Sequence, residues 1–117
     1  MIKPAWVTNE PLWLLQCADV VGIASKVLNK SDTLTEHARA LSSLGYRLRA
    51  SQGQAFTVFR NLASETESFP IGAARSSWSL RALPSIDAER RRIEDRFTTH
   101  VMNAATQLIA AYDIAAT

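Results

Sequence analysis

Residues 33–63 read TLTEHARALSSLGYRLRASQGQAFTVFRNLA, and the spacing of apolar side chains in this stretch decides the fold class. Counting in steps of four and three gives Leu34, Ala38, Leu41, Gly45, Leu48, Gln52, Ala55, Phe59 and Leu62. That repeat is one face of a helix and not the alternation of a strand. The stretch opens on Thr33-Leu34-Thr35-Glu36, the spacing of a capping box, in which Thr33 caps the amide of residue 36 and Glu36 reaches back. Because the stripe keeps its phase through Gly53, the expectation is one long helix over about 33–63. It would bend near Gly53, where glycine costs about 1 kcal/mol relative to Ala. Two helices broken at Ser51-Gln52-Gly53 are the alternative.

Upstream, Thr8-Asn9-Glu10-Pro11 is a helix start: Asn or Thr caps free amides, Glu suits the positive end of the dipole and Pro fits the first turn. The helix of about 9–29 that follows is apolar over most of its circumference, with only Gln16, Asp19, Lys26 and Lys30 as a polar strip. Such a helix needs more than one neighbour, so it reads as the central helix of the fold or as an oligomer contact. Downstream, residues 64–85 carry Pro70, Gly72, Pro84 and many serines, yet also Phe69, Ile71, Trp78, Leu80 and Leu83. The expectation is a connection packed on the body, with room for a short fourth helix near Ser77 to Leu83. A third long helix over about 86–115 follows, capped by Ser85 and carrying Ile86, Ile93, Phe97, Val101, Ala104 and Leu108 on one face. Its first half is charged, and its second half is apolar nearly all round. Arg90-Arg91-Arg92 is offset by Asp87, Glu89, Glu94 and Asp95, and reads as a solvated face laced with pairs such as Asp87 with Arg91. The fold class is therefore all-α, an antiparallel bundle of three long helices in one domain over 1–117.

With 117 residues, 47% hydrophobic and 21% charged, the chain has the make-up of one globular domain and excludes collagen, wholesale disorder or a disulfide scaffold. Cys17 is the one cysteine, and among Leu14, Leu15, Val20 and Val21 it reads as a buried small hydrophobe. Residues 1–11 show no apolar core of a secretory leader, so the expected location is the cytoplasm. The apolar run from Leu12 to Leu28 is interrupted and shorter than the roughly 20 residues of a bilayer span, which argues against a transmembrane reading.

Chemistry is sparsely signalled. His37 and His100 stand in no metal-ligand spacing, and Glu36 beside His37 points to a different helix face. His100 follows Arg96 by four residues, an offset common by chance, and reads as a surface or half-buried histidine. No nucleophile elbow, phosphate loop or dinucleotide fingerprint occurs. The expectation is a non-enzymatic chain with no catalytic residue, no metal and no cofactor.

The formal net charge is +2, but from His37 to Ser64 there are four arginines and no acid. On one continuous helix Arg39, Tyr46, Gly53 and Arg60 share the outward position, with Arg49 beside them. Arg39, Tyr46, Arg49 and Arg60, joined by Trp6 near the terminus, are the candidate partner-binding residues. The function expected is a protein-binding module, most concretely a small bacterial inhibitor of the immunity or antitoxin type that blocks an acidic partner through a helix face. The alternatives are a nucleic-acid-associated protein using the same ridge and a small-molecule site lined by Trp13, Trp78, Phe59 and Phe97. A homodimer is a further expectation, because the chain is short for two such apolar helices.

Overall fold

The computed structural model describes residues 2–30 and 34–114. Four α-helices follow one another: α1 over Glu10–Leu28, α2 over Leu34–Arg47, α3 over Gln54–Glu65 and α4 over Leu83–Tyr112, with a 3-10 helix over Gly72–Ser77 between α3 and α4. The all-α class is as expected, but the bundle has four members rather than three.

The difference lies in residues 48–53. Two hydrogen bonds close the end of α2: the Ala50 amide donates to the Gly45 carbonyl at 2.8 Å, and the Arg49 amide donates to the Tyr46 carbonyl at 3.1 Å. This is a Schellman closure, and Arg49 takes the left-handed position in it with φ +54°. The chain then turns through Gly53, whose amide bonds the Ala50 carbonyl at 2.8 Å, and α3 begins one residue later. The stripe survives the break because both helices present the same apolar faces, now to each other. Leu41, Leu44 and Leu48 and Phe56, Phe59 and Leu62 are all buried. Gly45 lies against Phe56 so closely that a Cβ there would sit 2.6 Å from the ring.

Asn9 caps α1 as the sequence indicates, its side chain accepting from the Leu12 amide at 3.1 Å, with Pro11 in the first turn. The start of α2 is tied to α4. Thr33, the expected cap, lies outside the described residues, and the acceptor for the Thr35 amide is the Glu94 carboxylate of α4, 59 residues away at 3.0 Å. α4 starts at Leu83, earlier than the expected 86; Ala115, its expected end, lies outside the described residues.

Each helix packs on the next, and α4 closes the ring against α1. α1 is an outer wall and not the central helix: Trp13, Cys17, Val20, Ala24 and Val27 face inward, while Leu12, Leu14 and Leu15 are exposed. The core is completed by Val101, Ala104, Ala105 and Leu108, and Phe56 meets Tyr112 edge to face at 5.7 Å. Thirty residues of α4 span about 45 Å and set the long dimension of a molecule 50 × 27 × 22 Å.

Below the ring, Arg39 reaches from α2 to the Thr66 and Phe69 carbonyls at 2.6 and 2.9 Å. Arg75 of the 3-10 helix grips Asp87 of α4 through two bonds of 2.7 and 2.9 Å. The connection is therefore anchored, although Trp78 and Leu80 stay exposed and the helical turn falls at 72–77 instead of 77–83.

Candidate functional site

The break between α2 and α3 dissolves the expected ridge. Its alignment required one helix, and Arg60 now stands exposed on α3. Arg39 donates through one guanidinium nitrogen to the two connection carbonyls, which gives it a structural role. Tyr46 and Arg49 remain together at the end of α2, Tyr46 with 78% of its surface exposed. Arg49 is carried by the turn to Trp6, its guanidinium lying 4.8 Å from the ring centre.

That stacking roofs a cleft of about 330 Å³ at one end of the bundle, lined by Trp6, Asn9, Leu12, Trp13, Gln16, Arg47 and Arg49 among others. Three of the five expected residues, Trp6, Tyr46 and Arg49, thus gather at or beside this end. Arg47, Leu12 and Asn9 were missed. Their only signal was proximity in sequence to Trp6 and Arg49, which has meaning once the chain is known to reverse at 48–53. Neither Arg47 nor Arg49 is paired with a carboxylate among the described residues. The cleft is therefore cationic at its α2 rim, and its lining mixes the polar side chains Thr8, Asn9 and Gln16 with Trp6, Val7, Leu12 and Trp13. It can hold an anionic group beside an aliphatic or aromatic one, with the α1 N-terminus adding a favourable dipole.

Several other charged groups are engaged within the fold. Glu94 is buried and accepts from the Thr35 hydroxyl at 2.6 Å, the Thr35 amide, and Arg90 at 2.9 Å. Arg90 and Glu94 therefore leave the solvated face expected of 87–96, and Asp87 pairs with Arg75 in place of Arg91. The Arg75 hydrogen bonds hold the Asp87 carboxyl below its ordinary value. Burial pushes the Cys17 thiol up, in keeping with an inert core residue. His37 is lowered, first by burial and then by Lys26.

The four aromatic residues proposed for a ligand pocket are dispersed. Trp13 lines the end cleft, Phe59 is fully buried, Phe97 lines a groove between α3 and α4 with His100 and Arg96, and Trp78 is exposed on the connection. In that groove Arg96 lies 3.4 Å from Glu65. Among the described residues no group of three His, Cys, Asp or Glu side chains is placed to hold a metal ion.

α1 is the one described helix long and apolar enough to cross a membrane, with mean hydropathy 1.3 and 28% of the window buried in the fold.

No characterised protein and no solved structure matches the chain. Residues 16–108, from the second turn of α1 to the last turns of α4, match the family described as Protein of unknown function (DUF2489), and the chain belongs to that family.

Proposed function

We propose that the protein is a non-enzymatic protein-binding module that captures an acidic segment of a partner in the cleft between Trp6, Arg47 and Arg49. The observation that carries this reading is the pair of guanidiniums at the rim of the cleft, neither of which has a carboxylate partner among the described residues. Backbone conformation supports it. The left-handed C-terminal position that Arg49 occupies costs an L-residue roughly 1–2 kcal/mol and normally goes to glycine. At that position the Arg49 side chain is turned to Trp6 at the edge of the cleft. Within this class we favour a small blocking protein of the immunity or antitoxin type acting in the cytoplasm. The single buried thiol is in keeping with that choice.

Calorimetric titration with a pentapeptide of alternating glutamate and leucine tests the reading. Saturable binding at one site per chain is expected, weakened as salt rises and abolished by Arg47→Glu with Arg49→Glu. The absence of binding, or binding unaltered by the double substitution, would discard it. Tighter binding of a single-stranded oligonucleotide with a steep salt dependence would replace it with the nucleic-acid reading.

A further inference from the structure

At the other end of α1 and α2 from the Trp6 cleft, the last turn of α1, the first turn of α2 and one face of α4 border a cavity of about 370 Å³. Its lining is graded along α4: the charged Arg91, Glu94 and Asp95 stand at one end, Thr98 follows, and Val101 and Met102 come last. Val27 of α1 and Leu34 of α2 add apolar surface, and Lys30, in the turn after α1, adds a second cation. At 1.5 Å per residue the step from Asp95 to Met102 is about 10 Å, so the length of a small molecule separates the polar end from the apolar one. The volume falls in the range of small-ligand pockets, roughly 300–1,000 Å³.

The polar end holds charges of both signs that the fold leaves open. Among the described residues Lys30, Arg91 and Asp95 make no ion pair, although the Arg91 charge is felt at Asp87. Glu94 is 8% exposed and directs Oε2 to Thr35 and Arg90; among the described residues its other oxygen, Oε1, accepts from no donor. A bare anion drawn to Lys30 and Arg91 would also meet Asp95 and Glu94, and a bare cation would meet the reverse repulsion. A molecule that carries both charges close together and an apolar tail satisfies the two ends of the cavity at once. The α-amino acid is the smallest molecule of that kind.

We propose that this cavity binds a free α-amino acid with a long apolar side chain. Lys30 and Arg91 hold its carboxylate, Asp95 and Glu94 hold its ammonium, and its side chain lies along α4 towards Val101 and Met102. The site is independent of the acidic-partner reading, since the cavity and the Trp6 cleft share no residue.

Calorimetric titration of L-leucine and L-methionine into the full chain tests the proposal. Saturable binding at one site per chain is expected. It should be at least tenfold tighter than that of glycine, which lacks the apolar tail, of N-acetyl-leucine, which lacks the ammonium, and of leucinamide, which lacks the carboxylate. Arg91→Gln and Asp95→Asn, both at exposed positions of α4, should each weaken leucine at least tenfold while the helix content by circular dichroism stays that of the parent. If neither leucine nor methionine binds, or if both variants bind leucine as the parent does, the proposal falls. N-acetyl-leucine binding as tightly as leucine would make this a site for anions, and leucinamide doing so a site for cations; either result overturns the amino-acid assignment. Glycine binding as tightly as leucine would show that the apolar end is not used and would overturn it as well.

Discussion

Two glycines on the helices face opposite circumstances, and alanine tells them apart. At Gly45 a methyl group would sit 2.6 and 2.7 Å from Phe56 ring atoms, and Phe56 is 3% exposed with no room to yield. Overpacking of that kind costs about 1–3 kcal/mol and the helix-propensity gain returns at most about 1 kcal/mol. Gly45→Ala should therefore lower stability in urea denaturation by about 1–2 kcal/mol, whereas Gly22→Ala, in open space, should hold or raise it. Arg49 offers a second comparison. Replacement by glycine relieves a left-handed cost of about 1–2 kcal/mol and loses a cation–π contact of about 0.5–1 kcal/mol. Arg49→Gly should match or exceed the parent in urea midpoint while losing affinity for acidic peptides; a clear destabilisation would show the side chain to be structural. Single residues were the least legible part of the sequence. Cys17 and the Asn9 cap could be read because their causes are local, whereas Arg39 could not, since its two acceptors lie 27 and 30 residues away.

At the level of elements, periodicity identified helices but could not say where one ended. The phase of the 34–62 stripe is the same for a straight helix and for a hairpin whose two halves face each other. The deciding feature is the Schellman closure at Gly45–Ala50, which a sequence usually marks with glycine and here marks with arginine. The start of α2 shows the same limit, because Glu94 supplies the acceptor from a distant helix. Removing that carboxylate leaves the Thr35 amide without an acceptor and buried Arg90 with Asp87, at 3.9 Å, as its remaining carboxylate. A broken buried pair costs about 3–5 kcal/mol, so Glu94→Ala should lose about that much in thermal or urea unfolding. Glu94→Gln, which keeps an acceptor for Thr35, should lose less. Asp87 ties the connection to α4 and adds a pH dependence. Its carboxyl is held below the ordinary 3.8 by the Arg75 bonds, so the unfolded chain binds the proton first as pH falls. Its stabilisation is thus fully present above the ordinary value and is lost as pH falls through the depressed one. The stability difference between the parent and Asp87→Asn should be constant at neutral pH and shrink towards zero on acidification.

Over the whole molecule, the four-helix ring and the end beneath it are held by different forces. The ring buries a continuous core from Trp13 to Leu108, while residues 66–90 hang on hydrogen bonds: Arg39 to two carbonyls and Arg75 to Asp87. α4 belongs to both, since Leu83–Asp87 precede the first of its residues in the buried core, Val101, by several turns. Local unfolding should follow that division, because segments with little buried apolar surface open at lower free energy than the global transition. Brief trypsin treatment of the folded protein should cut first after Arg81, which is exposed between the 3-10 helix and α4. Arg75→Ala should speed that cut severalfold and leave the urea midpoint nearly unchanged, because the ring does not depend on the connection. Equal acceleration at sites in α2 and α3 would mean instead that Arg75 and Asp87 hold the whole bundle, and that the lower end folds with the core as a single cooperative unit.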